Sequence, residues 1–200
     1  MKLKTLIKTI KAEAAKRGFK IILVDKKYVT IPGSADSSGC TGYFDPEARE
    51  IVVATRRAKK VWIGTLIHEF CHLEQFSQDM FHDAFHDDDW LDPWIEGRIK
   101  TMSEKLLRKR LIATIECELD CERRAVSYLK KLTDYKINIR EYIRAANAYV
   151  FFYHYAIKYR RWFNPNKPIY SQKDLLKKMP TTLYGVNYFE PLDIDYTPYL

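Results

Sequence analysis

Apolar residues recur at intervals of three and four positions in several stretches of the chain, which is the spacing of one face of an α-helix. Short runs rich in β-branched and aromatic residues alternate with turn residues near the N-terminus and favour strands instead. The pattern predicts helices over residues 1–16, from 61 past 73, over 103–132, over 139–163 and over 172–178, and strands over 19–24, 41–45 and 50–54. Gly18 is predicted to cap the first helix.

This order of elements predicts an α+β fold that is mainly helical, with a small N-terminal sheet packed beside the helix that begins near residue 61. The 200 residues suit a single domain with its own core. Within it, residues 1–60 are predicted to form a helix and the sheet, and residues 61–163 a helical core. Residues 164–200 are predicted to be an irregular segment that wraps the helices.

Composition indicates the cellular compartment and the kinds of partner expected for the protein. The four cysteines form no CxxC pair, so a reducing, cytoplasmic compartment is expected. No stretch has the apolar length of a membrane span. The net charge of +8 gathers in basic clusters on the long helices, which could attract nucleic acid or an acidic partner, although a solvated helix face is the simpler interpretation. The oligomeric state stays open.

The helix from residue 61 carries the most informative motif, His68-Glu69-Phe70-Cys71-His72. Residues i and i+4 share one face of a helix, so both imidazoles can bind a single Zn²⁺. The intervening Glu69 can act as general base on a water molecule at the metal. Buried structural histidines are the alternative, but the acid between the pair and the apolar helix favour a metal.

Two histidines leave a catalytic zinc one protein ligand short, and a later helix offers candidates. Glu118 and Glu122 fall on its apolar stripe, where a buried carboxylate needs a cation or a partner. We predict Glu118 as the ligand and Glu122 as the residue that accepts from a ligand imidazole, or as the alternative ligand. An ion pair with an arginine is the structural alternative for these acids. Other candidate ligands are His82 and His86 in an acidic loop, and the pair Cys117 and Cys121.

With these two motifs the chain resembles the gluzincin branch of zinc metallopeptidases, in which a glutamate on a later helix is the third ligand. The stretches 67–75 and 118–124 are similar to small phage-encoded metallopeptidases. More distantly, Glu118-x-x-Cys121-Glu122-x-x-Ala125 is similar to a helix of the ImmA/IrrE-like peptidases, where asparagine stands in place of Glu122. The resemblance implies a zincin-like domain that cleaves a protein or peptide substrate.

The predicted function is therefore zinc-dependent hydrolysis of peptide bonds with Glu69 as general base. A further donor must stabilise the oxyanion, and Tyr149 is ranked first, ahead of Tyr153 and His154. Two alternatives remain at this stage. The protein could be a nucleic-acid-associated binding protein with a structural zinc, or an inactive zincin kept for partner binding.

Overall fold

A computed structural model describes residues 1–32, 39–81, 90–164, 167–184 and 194–199. Within these ranges the chain forms a mainly helical α+β structure with one three-stranded sheet, as the sequence pattern predicts. The strands are β1 (Lys20–Val24), β2 (Gly42–Asp45) and β3 (Glu50–Ala54). The α-helices are α1 (Leu3–Lys16), α2 (Lys59–Ser77), α3 (Leu91–Ile95), α4 (Glu104–Lys130), α5 (Ile139–Tyr159) and α6 (Lys173–Lys178).

The chain divides into two compact units, and each has its own apolar interior. Unit 1 comprises Met1–Met80 and Arg123–Ile139, and unit 2 comprises Phe81–Glu122 and Arg140–Leu200. Whether these two units form a single domain, as the sequence predicts, is not tested by this division. Helix α4 contributes its last turns to unit 1 and the rest of its length to unit 2.

The sheet lies in unit 1 with β3 as its central strand. Strand β1 pairs with β3 in parallel, and β2 pairs with β3 in the antiparallel direction. Gly18, with φ of +78°, ends α1 as predicted, because a left-handed conformation at this position costs glycine little. The apolar side chains Leu6 and Ile10 of α1 are buried, so the polar face of this helix is left to solvent.

Helix α2 packs against the sheet where β2 passes closest to it. A Cβ atom built on Gly42 would lie 2.6 Å from Thr65 Cγ2 and 2.7 Å from the carbonyl oxygen of Val52, so only glycine fits without rearrangement. At the C-terminal end of α2, the ring of Phe76 contacts both Phe19 and Phe44 at centroid distances of 5.8–5.9 Å. Contacts along the length of α2 therefore hold it against the sheet.

Unit 2 is organised around α5, whose buried face is rich in aromatic residues. Phe152 packs against Trp162, Phe163 and Tyr196. Asn147 donates to the carbonyl oxygens of Pro180 and Thr182, which ties the C-terminal segment to this helix. Where it is described, the segment after residue 164 therefore contacts α5. Among the described residues, no helix combines the length and the apolar character needed to cross a membrane.

Candidate metal centre

The motif of α2 brings its two histidines together as the spacing predicts. The Nε2 atoms of His68 and His72 are 3.1 Å apart, and the two rings are nearly perpendicular, at an interplanar angle of 86°. The sequence of α2 explains why the pair is held on the inner side of the helix. The apolar residues next to the histidines, Ile67, Cys71 and Leu73, are fully buried.

The distance between the two Nε2 atoms can be compared with the distance between two nitrogen ligands of one metal ion. Two nitrogen ligands at about 2.0–2.1 Å from a tetrahedral Zn²⁺ would be about 3.3–3.4 Å apart. The observed 3.1 Å between His68 and His72 is within a few tenths of an ångström of that value. Both imidazoles therefore present the ring nitrogens that a single cation requires, and this pair of residues fits a metal ion.

A third side chain of α2 sets the orientation of one imidazole. Nδ1 of His72 lies 2.9 Å from Oε1 of Gln75, one turn further along the helix, and Gln75 is fully buried. An amide oxygen can only accept, so this hydrogen bond places a proton on Nδ1 of His72, and in the neutral ring Nε2 then keeps the lone pair. A ligand histidine whose other ring nitrogen donates to a fixed acceptor is the usual arrangement in metal sites. His72 is therefore in the tautomer that metal binding needs.

Glu69 is inside unit 1 and is 8% exposed. It follows His68 directly in α2, so its carboxylate starts one step around the helix from the imidazole pair. The structure thus keeps all three residues of the motif on one short, largely buried stretch of α2.

The end of α2 is anchored by the last turns of α4, which belong to the same unit. The hydroxyl of Tyr128 donates to Glu74 at 2.7 Å, and its ring meets Phe70 edge-on at 5.9 Å between centroids. Arg124 adds a longer ion pair to Glu74 at 3.9 Å. Burial, reinforced by Glu74, raises the pKa of Tyr128 well above its usual value, so the phenol remains a donor across the physiological range.

Glu118, the predicted third ligand, lies in unit 2 on α4. Its Oε1 accepts a hydrogen bond of 3.0 Å from the hydroxyl of Tyr153 on α5. The hydroxyl oxygens of Tyr153 and Tyr149 are also 3.0 Å apart, so the three side chains form a continuous chain. Glu122, one turn after Glu118, is 5% exposed, which agrees with the burial that its place in the apolar stripe predicts.

Other candidates of the sequence are placed as follows. Cys117 and Cys121 are buried on α4, and burial raises the pKa of the Cys117 thiol far above its ordinary value. His154 is half-buried on α5, and burial lowers its pKa. His82 and His86 lie outside the described residues. Tyr149 lies on α5, and its role as oxyanion donor stays a prediction.

Two residues of the candidate site were not assigned their observed roles by the sequence pattern. The sequence pattern assigns no role to Gln75, and it offers Tyr153 only as an oxyanion donor ranked after Tyr149. A signal for Gln75 did exist, because a residue three positions after His72 lies on the same helix face. No comparable local signal links Tyr153 to Glu118, which is 35 residues away in the chain.

Residues 2–89 match the model of a family described as "Putative metallopeptidase family (DUF6782)". The match covers α1, the sheet and α2, and so includes His68, Glu69, His72 and Gln75. It ends before α4, so the predicted third ligand lies beyond it. No curated protein and no solved structure matches the chain. The similarity to this family and the convergent imidazole pair together support a metal-dependent peptidase.

Proposed function

We propose that the protein is a zinc-dependent peptidase whose metal is bound by His68, His72 and a carboxylate from α4. The observation that carries this proposal is the 3.1 Å approach of the two Nε2 atoms, with Glu69 beside them, in a segment similar to metallopeptidases. Two imidazoles and one carboxylate form a donor set that suits Zn²⁺ and leaves one position open. When bound, the zinc would lower the pKa of a water molecule towards about 7 and polarise the scissile carbonyl.

The protein's own residues would supply the proton transfers. In this proposal Glu69 accepts a proton from the attacking water and later delivers it to the leaving amine. Gln75 keeps Nε2 of His72 free of a proton, as the 2.9 Å contact to Nδ1 requires. Tyr149 is the proposed oxyanion donor. Its hydroxyl oxygen lies 3.0 Å from that of Tyr153.

For the carboxylate we propose Glu118, with Glu122 as the alternative. The support is the apolar stripe of α4, the burial of Glu122, and a phenol donor on Glu118 that keeps this carboxylate ordered. Buried ionised carboxylates are costly unless a cation or several donors compensate for the lost water. Cys121, a buried thiol on the same helix, is the third possibility that a ligand test must include.

The decisive experiment combines metal analysis with one substitution. Protein purified without chelators is expected to hold about one zinc per chain. Glu69→Gln should keep the metal and lose cleavage of a fluorogenic peptide library, because the amide cannot accept the proton. Glu74→Gln is the matched control: it removes another acid of α2 that pairs with Tyr128 and Arg124, away from the imidazoles. Equal activity in wild type and Glu69→Gln, or the absence of bound metal, would contradict the proposal.

Ligand identity is tested separately by substitution on α4. Glu118→Ala is expected to lose zinc, whereas Glu122→Ala and Cys121→Ala should retain most of it. If Glu122→Ala or Cys121→Ala loses the metal while Glu118→Ala keeps it, the ligand assignment moves to that residue and the peptidase proposal stands.

A second candidate function rests on the surface of α1. Residues 1–27 contain nine lysines or arginines and two acids, so this segment carries +7 of the net charge of +8. Lys4, Lys8 and Lys11 form one exposed stripe on α1, and in the described part of the chain no ion pair involves them. The positive charges of such a stripe repel one another, and a polyanion such as nucleic acid would neutralise them.

The two functions can be separated experimentally. Binding of a labelled DNA duplex should fall steeply with salt if the stripe is a nucleic-acid surface. Replacing Lys4, Lys8 and Lys11 together by glutamate should abolish that binding, and Glu69→Gln should leave it unchanged. Binding that survives the triple replacement would reject this surface.

A further inference from the structure

The sheet of unit 1 ends in two edge strands, β1 and β2. Strand β2 packs against α2 at Gly42, whereas β1 lies on the opposite side of β3. The N–H group of Lys20 donates to the carbonyl oxygen of Arg49, and the N–H group of Thr55 donates to that of Val24. The backbone groups at both ends of β1 therefore point towards β3.

The backbone groups of β1 that face away from β3 belong to Ile21 and Leu23. The direction of these groups alternates along a strand, and the residues on either side of Ile21 and Leu23 are the ones that bond to β3. Within the described ranges, no backbone group pairs with the N–H and C=O groups of Ile21 and Leu23. These two donors and two acceptors form the edge to which a further strand can be added.

Positive charge surrounds this edge. Residues 16–27 contain five lysines or arginines and a single acid, Asp25. Lys20 is exposed within β1, and Lys26 and Lys27 are exposed just beyond its end. In the part of the chain that the structure describes, none of these three lysines forms an ion pair. A strand added to β1 would therefore lie beside uncompensated positive charge.

Two arginines add to the positive charge at the end of β1. Arg57 donates to the carbonyl oxygen of Lys27 at 3.2 Å, and its guanidinium lies 4.9 Å from the centroid of the Tyr28 ring. The ammonium of Lys27 is 5.7 Å from the same centroid. The N–H group of Arg56 donates to the carbonyl oxygen of Lys26 at 3.0 Å. These contacts keep the cations close to the end of the strand.

The charge distribution separates the possible occupants of this edge. If two copies of the chain paired antiparallel about Ile22, Arg17 of each copy would approach Lys27 of the other, and like charges opposite one another destabilise a sheet. Nucleic acid could neutralise the lysines, but it lacks the alternating N–H and C=O groups of a strand. An extended peptide with acidic side chains can satisfy both the backbone groups and the lysines. Ile22, which is 38% exposed, adds an apolar contact.

We propose that the open edge of β1 binds an extended acidic peptide as an additional strand. The main-chain hydrogen bonds are made by Ile21 and Leu23, and Lys20 and Lys26 select acidic side chains. This interaction goes beyond the proposed peptidase function, because it uses the edge opposite β2 and no residue of the imidazole pair. Removal of metal by a chelator should therefore leave peptide binding unchanged.

The probe is a fluorescent peptide of about eight alternating valine and glutamate residues, a usual length for a strand. Its binding is followed by anisotropy in a Glu69→Gln background, so that the probe is not cleaved. Lys20→Glu combined with Lys26→Glu is expected to weaken binding about tenfold or more at low salt. The matched control, Lys4→Glu combined with Lys8→Glu, changes the net charge equally on α1 and should weaken binding no more than about twofold.

Hydrogen exchange tests the backbone pairing itself. The peptide is expected to slow amide exchange at Ile21 and Leu23, whereas Ile22 and Val24, which already bond to β3, should change little. The same peptide with N-methylated peptide bonds keeps its charge but lacks donors, so it should bind about tenfold more weakly. Leu23→Pro removes one outward N–H group and no bond to β3, and it should also weaken binding.

Each result supports or overturns the proposal. If the N-methylated peptide binds as tightly as its parent, or if exchange at Ile21 and Leu23 is unaffected, no strand is added and the proposal is wrong. An equal loss of binding in the control variant of α1 would also overturn it, since the attraction would then be unspecific. Tighter binding of a DNA duplex through the same two lysines, without protection of Ile21 and Leu23, would assign them to nucleic acid instead.

Two features of this design keep the result clear. Should Leu23→Pro not fold, the N-methylated peptide still removes donors from the partner's side of the ladder. The metal content of the protein and its cleavage of other peptides are measured separately. Failure of the peptide to bind would therefore leave the proposed function standing, and loss of the proposed function would leave the edge of β1 open to the same test.

Discussion

The imidazole pair of unit 1 and the carboxylate of unit 2 are built in different ways. His68, His72 and the glutamine that orients His72 all lie on two turns of α2, and the contacts among them span at most four residues. Glu118 is held instead by a tyrosine 35 residues further along, on another helix. The first arrangement exists wherever α2 is helical, whereas the second requires α4 and α5 to pack correctly.

The two regions therefore depend to different degrees on the packing of the rest of the protein. A local pair should tolerate moderate loss of stability in its unit, since its geometry is that of one helix. A side chain held across two helices should lose its orientation when a single contact is removed. Substitutions in the two units should therefore differ in their effect on zinc binding.

His72→Ala is expected to weaken zinc binding by more than ~100-fold, beyond what the loss of an orienting partner causes. The reason is that this substitution removes one of the two nitrogen donors that approach to 3.1 Å. Zinc affinity by chelator competition is the measurement. The matched control is His154→Gln, which removes a half-buried histidine of unit 2. Comparable affinity in the two variants would mean that the α2 pair is not the metal site.

Gln75→Leu is expected to weaken zinc binding about 10–100-fold, because Nδ1 of His72 then loses its acceptor and the tautomer is no longer fixed. Gln75→Glu should retain or tighten binding, since a carboxylate accepts the same proton. Nitrogen NMR of the metal-free protein gives an independent readout: protonated Nδ1 of His72 in wild type, and a mixture of tautomers in Gln75→Leu. If the leucine variant binds zinc as wild type does, Gln75 does not orient the site.

The contrast between the units also explains what could be predicted from sequence. Periodicity located α2 and the strands closely, and the spacing of His68 and His72 predicted their convergence, because both features depend on neighbours within one helix or strand. Tyr153 could not be matched to Glu118 in this way. That contact depends on how α4 and α5 are packed, and hydrophobic spacing shows which face of a helix is buried but not which residue it meets.

The same reasoning applies to the sheet. The three strands were predicted from their composition, but the position of β3 between β1 and β2 depends on pairings between distant segments. Gly42 is an instructive case. A glycine that begins a strand has several explanations, and only the fold shows that its missing Cβ makes room for Thr65 of α2.

Gly42→Ala is expected to lower the free energy of unfolding by about 1–3 kcal/mol, because the added methyl overpacks the contact between β2 and α2. Urea unfolding of the metal-free protein measures this loss. If the imidazole pair is as local as its contacts indicate, zinc affinity of the folded variant should change no more than a few-fold. A large loss of zinc affinity would show that the sheet, and not α2 alone, sets the geometry of the pair.

Thr65→Ser provides the control for this prediction. It removes Cγ2, the nearest side-chain atom at 2.6 Å, but leaves the carbonyl oxygen of Val52 at 2.7 Å. The double variant should therefore recover only part of the stability lost in Gly42→Ala. Complete recovery would mean that the backbone of β3 gives way and that Thr65 alone determines the cost.

The smallest effect is expected from His154, which contrasts with the paired histidines of α2. Among the described residues, no hydrogen-bond partner faces its Nε2, and burial holds its pKa below the ordinary value of 6.5. Below pH 6.5 the unfolded chain therefore binds more protons at this position than the folded chain. It follows that the free energy of unfolding decreases as the pH falls from 6.5 through the lowered pKa, and that this contribution is absent at higher pH.

His154→Gln removes that dependence, so the stability of wild type relative to the variant should be constant above about pH 7.5 and decline below 6.5. Urea unfolding of both metal-free proteins between pH 5 and 8 gives the comparison, and the α2 histidines, common to both, cancel in the difference. A difference that does not change with pH would show that His154 titrates alike in the folded and unfolded states. The contrast between His154 and the paired histidines of α2 would then be wrong. The pKa of a half-buried histidine with no described hydrogen-bond partner at Nε2 would be no more perturbed than that of an exposed one.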